Sequence, residues 1–382
     1  MKSFNRKLSL EIEKSFGGLK ALNKVEKFID GYIKDYKSYK PSWNYEDGCV
    51  LKGALDLYSA TDDEKYKAFV LKYLDEFIEK DGEIKGYNME NHHLDDINSG
   101  KVLFDVYKMT GDDKYKKAIE TIFTQVKTQP RTNEGNFWHK DIYPYQVWLD
   151  GLYMVMPFYI KYIKNFGNIN DLSDIVNQFV NVRKHMYDTQ KKLYYHGYDE
   201  SRKEAWADKK TGVSPNFWGR AEGWFVMALV DVLEEMDERM KPEKDALIKI
   251  FNEAIDGLLI YQDEEKGMWY QVLDKKNERG NYQETSATLM ISYSILKGVR
   301  LNLLPQKYKE HGVKAFEGTV NKYLVEDEGK LMLGGICSVA GLGNTPYRDG
   351  SYDYYISEKV VYDDPKGVGA LMMAYSEIIK IQ

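Results

Sequence analysis

An internal repeat constrains the fold of this chain more than any other feature of its sequence. The segments YSATDDEKY (58–66) and YKMTGDDKY (107–115) carry Tyr, Thr, Asp, Lys and Tyr at the same offsets. A more apolar stretch precedes each copy, and apolar residues at helical spacing follow it, as from Tyr66 to Phe77. The repeat therefore predicts a unit of an inner helix, a short Thr-Asp turn and an amphipathic outer helix.

The same alternation continues along the chain and predicts six inner and six outer helices. Inner helices are expected near 49–57, 102–109, 146–164, 220–236, 282–299 and 366–381. Outer helices are expected at 18–37, after each repeat segment, and near 171–186, 242–262 and 305–325. Aromatic segments that favour extended structure stand before inner helices: KGYNM, GNFWHK, KLYYHGYD, GMWYQVL and KLMLGGI. The pattern predicts an all-α fold, a closed toroid of helical hairpins, in a single domain (1–382).

Composition narrows the class of protein. The chain is 43% hydrophobic, which supports a large core, and its 31 Tyr and 7 Trp offer flat faces of the kind that suit sugar rings. A net charge of -6 without a basic run argues against nucleic acid. No signal-peptide h-region and no long apolar segment is present, so we expect a cytoplasmic protein without a membrane partner, and a monomer by default. Cys49 and Cys337 lack metal-ligand spacing, and nothing demands a metal or cofactor.

A toroid of this kind brings the N-terminal ends of its inner helices together around a central depression. The residues expected there are Trp43, Asn44, Tyr45, Asp95, Asp96, His139, Lys140, Asp150, His196, Trp218, Arg220, Glu222, Trp224, Tyr282 and Glu284. Acids, imidazoles, a guanidinium and indoles on one rim are what a site for an anionic sugar requires.

Two acids are the strongest catalytic candidates. Asp150 lies among apolar residues in QVWLDGLYM; it is either a hydrogen-bonded helix cap or a general acid whose pKa is raised by apolar surroundings. Asp95, in HHLDDINSG, could equally be a cap, as could Asp96. If Asp95 lies near Asp150, the pair resists double ionisation and one member holds a proton.

The remaining candidates each have a structural alternative. His139 and His196 follow aromatic residues and could simply be packed. Arg220, in FWGRAEGW, could pair with Glu222 or bind a sugar carboxylate. Tryptophans are more often core than sugar platform, and those beside Arg220 and near Tyr45 are the best platform candidates. No dinucleotide fingerprint, nucleophile elbow, P-loop or HExxH motif is present.

Nine motifs occur in order from about residue 40 to the C-terminus: LDDIN with Gly100 following, PRTNEGNFWHK, YPYQVWLDGLYM, YYHGYDES, SPNFWGRAEGW, NYQETSA, GICSVAGLG, RDGSYDYYISE and DPKGVGA. Together they resemble glycoside hydrolase family 105, the unsaturated rhamnogalacturonyl hydrolases. The resemblance implies an (α/α)6 barrel, in agreement with the helix count above. One departure is Ser99, where the family often has Pro.

The resemblance also implies a reaction and a set of roles. The substrate would be an oligosaccharide with a 4,5-unsaturated galacturonyl residue linked to rhamnose, and the C4=C5 vinyl ether would be hydrated. Asp150 matches the family's general acid and base, and Asp95 matches a second Asp expected to bind hydroxyls and hold the proton on Asp150. Matches to substrate contacts are His139, Lys140, His196, Arg220 and Trp224, and, less closely, Asn44 and Tyr45.

Two other functions stay open at this point. An inverting hydrolase of saturated uronyl glycosides needs two carboxyl groups about 6.5 to 9.5 Å apart around a water, which Asp95 or Glu222 could form with Asp150. A noncatalytic carbohydrate-binding toroid would use the same rim and leave its ligand unchanged.

Overall fold

The computed structural model describes residues 19–381, and α-helices dominate this part of the chain. Its helices are α1 (Leu19–Lys34), α2 (Tyr45–Thr61), α3 (Glu64–Phe77), α4 (Val102–Thr110), α5 (Asp113–Thr128), α6 (Leu149–Asn165), α7 (Leu172–Met186), α8 (Gly219–Glu235), α9 (Lys241–Ile260), α10 (Thr285–Arg300), α11 (Lys309–Tyr323), α12 (Tyr352–Ser357) and α13 (Pro365–Lys380). A 3₁₀-helix, Leu94–Lys101, leads directly into α4.

The strands are short and form four two-stranded antiparallel pairs. They are β1 (Gln146–Trp148), β2 (Tyr187–Asp188), β3 (Leu193–Tyr194), β4 (Gly197–Asp199), β5 (Leu324–Asp327), β6 (Lys330–Leu333), β7 (Ile336–Cys337) and β8 (Val360–Val361). The pairs are β1 with β4, β2 with β3, β5 with β6, and β7 with β8. The β1–β4 pair matters most for the site, because it connects the segments that precede Asp150 and follow His196.

The inner helices form a closed ring. Each packs against the next in the order α2, α4 with its preceding 3₁₀-helix, α6, α8, α10 and α13, and α13 packs back against α2. The outer helices α1, α3, α5, α7, α9 and α11 cover this ring, and α1 contacts α11 to complete the second layer. The described residues thus form an (α/α)6 barrel, as predicted.

The repeated sequence segments have a shared structural basis. At the end of α2 the Thr61 hydroxyl donates to the carbonyl of Leu57 (2.7 Å), and the backbone N–H of Asp63 donates to Thr61 Oγ1 (3.2 Å). Asp63 then caps α3 by accepting from the N–H of Lys65. The second copy makes the equivalent bonds through Thr110 and Asp112. Each hairpin turn is therefore encoded locally.

Most predicted boundaries agree with the structure to within a few residues. The helix predicted at 18–37 is observed as Leu19–Lys34, with residue 18 outside the described residues. The inner helix predicted near 49–57 is longer, because Asn44 caps it at its N-terminus. Of the aromatic segments, 192–199 and 330–336 contain strands, GNFWHK and GMWYQVL form only isolated bridges, and KGYNM is irregular.

Most of the buried apolar side chains between Val25 and Ile378 form one extended cluster, to which all six inner helices contribute. Helix α6 is buried nearly all round its first three turns, as the apolar sequence around Asp150 predicts. None of the helices in the described range has the length and apolarity needed to cross a membrane.

Candidate active site

Every inner helix presents a polar side chain at its beginning. The residues are Tyr45 (α2), Asp95 (the 3₁₀-helix before α4), Asp150 (α6), Arg220 (α8), Glu284 (the cap of α10) and Lys366 (α13). Because these helices form a ring, residues far apart in sequence share one rim. Free backbone N–H groups and the positive ends of the helix dipoles also favour anions there.

Asp150 and His196 are direct neighbours on this rim. Asp150 is 8% exposed and stands in the first turn of α6, which has no side-chain cap. His196 is completely buried, and its Nε2 lies 3.2 Å from Asp150 Oδ2. The contact is short but poorly aligned, so neither atom counts as hydrogen-bonded. Asp150 Oδ2 is therefore a buried oxygen without a hydrogen-bond partner among the described residues.

Asp95 forms an ion pair with Lys140, whose Nζ lies 2.5 Å from Asp95 Oδ2. Burial alone would raise the pKa of Asp95, but Lys140 and His139 hold it at about 2. Asp95 is therefore ionised near neutral pH. Its main partner is thus the lysine, an interaction that the sequence did not predict.

His139 lies beside Asp95, with its Nε2 3.7 Å from Asp95 Oδ1, and its ring stacks on Trp148 at 4.4 Å between centroids. Burial lowers the pKa of His139 to about 4, so the ring is neutral at working pH. Gly151, the glycine of the WLDG motif, leaves room for the His139 ring, since a Cβ at this position would lie 3.1 Å from His139 Nδ1.

Arg220 is buried, and its guanidinium lies over the Trp218 ring at 4.7 Å. One of its N–H groups donates to the carbonyl of Cys337 and, more weakly, to Ser286 Oγ (3.3 Å). Its Nε has no partner among the described residues. The residue is thus positioned by the protein while part of its donor set stays free, and the alternative pairing with Glu222 is not observed.

Three of the residues expected on the rim serve the protein's own structure. Asn44 caps α2 by accepting from the Asp47 N–H (2.9 Å), and its amide donates to Ser42 and Asp47, so its polar atoms are occupied. Trp224 is 1% exposed and stacks on Tyr153 at 4.9 Å, inside the core. Asn44 and Trp224 were predicted to contact substrate. In the structure the polar atoms of Asn44 are already hydrogen-bonded and the Trp224 ring is buried in the core, so neither side chain is free to contact a sugar.

Glu222 is the third of these residues. It is completely buried and accepts a hydrogen bond from the backbone N–H of Tyr194 (2.5 Å). Burial raises its pKa to about 8, so it is largely protonated near neutrality. A carboxyl group without solvent access cannot activate a water, which removes it as the second acid of an inverting pair.

Trp218 was expected on the rim from the sequence, whereas Tyr355 and Lys366 were not selected from it. Trp218 packs against His196 at 4.7 Å, and Tyr355 reaches His196 Nδ1 at 2.7 Å. Lys366 is buried beside Asp364 and lies over the rings of Tyr39 and Tyr45. Tyr355 and Lys366 stand in the motifs RDGSYDYYISE and DPKGVGA, but their positions depend on contacts between distant segments.

A second buried apolar cluster, with three aromatic members, lies beside this rim: Tyr143, Trp148, Trp206, Ala207 and Leu342. Arg348 ties it to the segment before α12, because its guanidinium donates to Tyr143 Oη (2.9 Å) and lies 5.9 Å from the Trp148 ring. The side of the site next to His139 is therefore aromatic and held in place by a cation.

Several polar atoms on the rim are buried without a protein partner in the described part of the chain. They are His139 Nδ1, Asp150 Oδ2, His196 Nε2, Arg220 Nε and Tyr282 Oη. Buried polar groups almost always have partners, so such a cluster indicates a surface that binds polar molecules. Within residues 19–381 no group of three His, Cys, Asp or Glu side chains has the arrangement of a metal site.

A toroid of helical hairpins with this rim has the architecture of the (α/α)6-barrel glycoside hydrolases. The model of Glycosyl Hydrolase Family 88 matches residues 22–382. A family 105 glycoside hydrolase from C. acetobutylicum has a solved structure that is 44% identical, with a TM-score of 0.88; the match covers 94% of this chain and 99% of that chain. The chain therefore belongs to the family that this model describes, Glycosyl Hydrolase Family 88. Its similarity to the C. acetobutylicum enzyme also places it in glycoside hydrolase family 105.

Two curated relatives are also similar. Protein Atu3128 of Agrobacterium fabrum is 40% identical over 59% of this chain and 97% of its own length. The unsaturated rhamnogalacturonyl hydrolase YesR of Bacillus subtilis is 25% identical over 81% of this chain and 83% of its own length. The predicted family and the predicted class of enzyme, a glycoside hydrolase, are confirmed.

Proposed function

We propose that this enzyme hydrolyses oligosaccharides with a 4,5-unsaturated galacturonyl residue at the non-reducing end and releases that residue from rhamnose. The supporting observation is Asp150, a nearly buried carboxyl group at the start of an inner helix in a chain of family 105, whose Oδ2 has no hydrogen-bond partner among the described residues. YesR, whose name gives this activity, supports the choice of substrate.

The reaction hydrates a vinyl ether. Asp150 donates its proton to C4, and the resulting cation at C5 is stabilised by the ring oxygen. Water adds to C5 and returns a proton to Asp150. The C5 hemiketal then opens by breaking its bond to the ring oxygen, which leaves a hemiacetal at C1. Collapse of that hemiacetal releases the rhamnose-ended alcohol.

Residues around Asp150 would support this sequence. His196 contacts the carboxyl group directly and would stabilise the carboxylate that forms when the proton leaves. Ionised Asp95 would accept hydrogen bonds from sugar hydroxyls, with Lys140 and His139 holding it in position. The other role expected of Asp95 is to hold the proton on Asp150 through its negative charge. The positive charge of Lys140 opposes that effect.

The substrate carboxylate needs a cation on the rim. Arg220 supplies one at the start of α8: its planar face is fixed on Trp218, and its Nε has no partner in the described part of the chain. Tyr45 is partly exposed, and its phenol lies close enough to Arg220 for the guanidinium to influence its pKa. We assign Arg220 to the carboxylate and Tyr45 to the sugar ring beside it.

Several properties expected from the sequence stay proposals. The continuous core between Val25 and Ile378 supports one domain over 1–382. A cytoplasmic, monomeric enzyme without a cofactor or a nucleic-acid or membrane partner is the simplest proposal from composition.

The substrate is tested with a panel of disaccharides made by lyases, in which the unsaturated residue is linked to rhamnose, galacturonate or an amino sugar. Loss of the ultraviolet absorbance of the double bond measures the rate. The proposal predicts the highest kcat/KM for the rhamnose-linked disaccharide. A higher value with another second sugar would overturn the rhamnose assignment, and release of saturated sugar without absorbance loss would favour the inverting alternative.

A further inference from the structure

Tyr355 is buried against the side of His196 that faces away from Asp150. Its hydroxyl lies 2.7 Å from His196 Nδ1, while His196 Nε2 faces Asp150. Both side chains are 0% exposed. The three groups form a line from the short helix α12, through the loop between β3 and β4, to the first turn of α6.

The position of Tyr355 is itself fixed. Its ring stacks over Trp218 with 6.0 Å between centroids, and its backbone carbonyl accepts from Gln271 Nε2 (3.1 Å). Gln271 Oε1 also accepts from Trp218 Nε1 (3.1 Å). Burial, with smaller effects of Tyr354 and Asp150, raises the pKa of Tyr355 well above its ordinary value. The phenol therefore keeps its proton and remains a donor.

This geometry favours one tautomer of His196. If Nδ1 carried the proton, the Tyr355 hydrogen would have no acceptor among the described residues, and the Nε2 lone pair would face the Asp150 carboxyl group. If the phenol donates to Nδ1, the proton of the neutral ring is on Nε2. An Nε2–H lies close to the Asp150 carboxyl group, at 3.2 Å, and has no lone pair with which to take the proton of the neutral acid.

We propose that Tyr355 is a positioning residue that holds His196 as the Nε2–H tautomer, so that the catalytic proton stays on Asp150 until it is delivered to the substrate. The proposal rests on the proposed function for its catalytic consequence, but the tautomer exists without substrate. Titratable groups that face His196 are Tyr355, Asp150 and, from the neighbouring loop, His139, which is neutral at working pH.

The direct test is ¹⁵N NMR of histidine-labelled protein without substrate, with His196 assigned by comparison with His196→Gln. The wild type should show a proton bound to Nε2 and an Nδ1 shift typical of a hydrogen-bond acceptor. In Tyr355→Phe the Nδ1 shift should change toward that of a tautomer mixture. A wild-type proton on Nδ1 would overturn the proposal, whether or not the enzyme acts on unsaturated uronides, and this result does not depend on folding of the variant.

Kinetics supply the second readout. Tyr355→Phe should lower kcat about tenfold, as expected for one lost buried hydrogen bond, with KM nearly unchanged and a shifted pH profile. Tyr354→Phe is the matched control: it lies on the same helix and accepts from the Gly341 N–H (3.0 Å), away from His196. Equal kcat losses in both variants, or an unchanged pH profile in a folded Tyr355→Phe, would contradict the positioning role. Absence of activity in the wild type would count against the proposed function alone.

Discussion

Asp150 Oδ2 and His196 Nε2 lie 3.2 Å apart, although one belongs to the first turn of an inner helix and the other to a loop between two strands. Pairing of β1 with β4 explains this contact, since Trp148 is in register with Gly197 and the backbone N–H of Leu149 donates to the carbonyl of His196. The acid and its partner are therefore held by backbone bonds.

His139 should make stability depend on pH. Its folded pKa of about 4 lies below the ordinary value of 6.5 because the ring is buried, so the unfolded chain binds more protons between these values. The free energy of unfolding should fall as the pH drops from 6.5 to 4. Chemical denaturation at a series of pH values measures this slope, which His139→Gln should reduce. The exposed His311→Gln is the control, and an equal reduction there would argue against the assignment.

Glu222 should produce the opposite slope. Burial raises its folded pKa to about 8, above the ordinary 4.5, so the folded state binds more protons between these values. Stability should therefore decline as the pH rises from 4.5 to 8, and Glu222→Gln should remove that decline. The same variant should keep near-normal kcat. Loss of activity by the 10²- to 10⁴-fold typical of a lost acid or base would instead restore Glu222 as a catalytic group.

Lys140 controls the charge of Asp95. In Lys140→Met the burial of Asp95 is no longer opposed by the ion pair, so its pKa should rise from about 2. The acidic limb of the kcat/KM profile should move to higher pH. Lys164→Met, which removes an exposed lysine paired with Glu235, should leave that limb in place. An unchanged profile in Lys140→Met would show that ionised Asp95 is not needed for turnover.

Lys297 and Asp231 form a buried ion pair near the C-terminal ends of α10 and α8, at 2.7 Å and with side chains only 2% and 5% exposed. Removing one buried partner typically costs about 3–5 kcal/mol. Lys297→Met should lose about this much in thermal or urea unfolding, while Lys241→Met, in an exposed pair with Asp245, should lose at most about 1 kcal/mol. Equal losses would mean that the buried pair contributes no more than a surface one.

The barrel was predictable from sequence because its hairpins are encoded locally. Thr61 and Asp63 end one helix and cap the next within three residues, and Thr110 and Asp112 repeat the pattern. The burial of Asp150 on an inner helix was predictable for a similar reason, since the residues around it in the sequence are apolar.

Contacts between distant segments were not predictable in the same way. Whether Asn44 faces a sugar or caps its own helix, and whether Trp224 faces the rim or Tyr153, depends on side-chain direction, which sequence spacing alone does not determine. The pairing of Asp95 with Lys140 depends on how a 3₁₀-helix and a loop meet at the rim. Tyr355 comes from a segment more than a hundred residues away from His196, and no sequence pattern links the two.

The most direct test of the central claim is the rate of absorbance loss at the double bond with a rhamnose-linked unsaturated disaccharide, for wild type and Asp150→Asn. Asp150→Asn should fold normally by circular dichroism and lose about 10²- to 10⁴-fold in kcat, because an amide cannot deliver the proton to C4. Near-normal turnover by the folded variant would contradict the account.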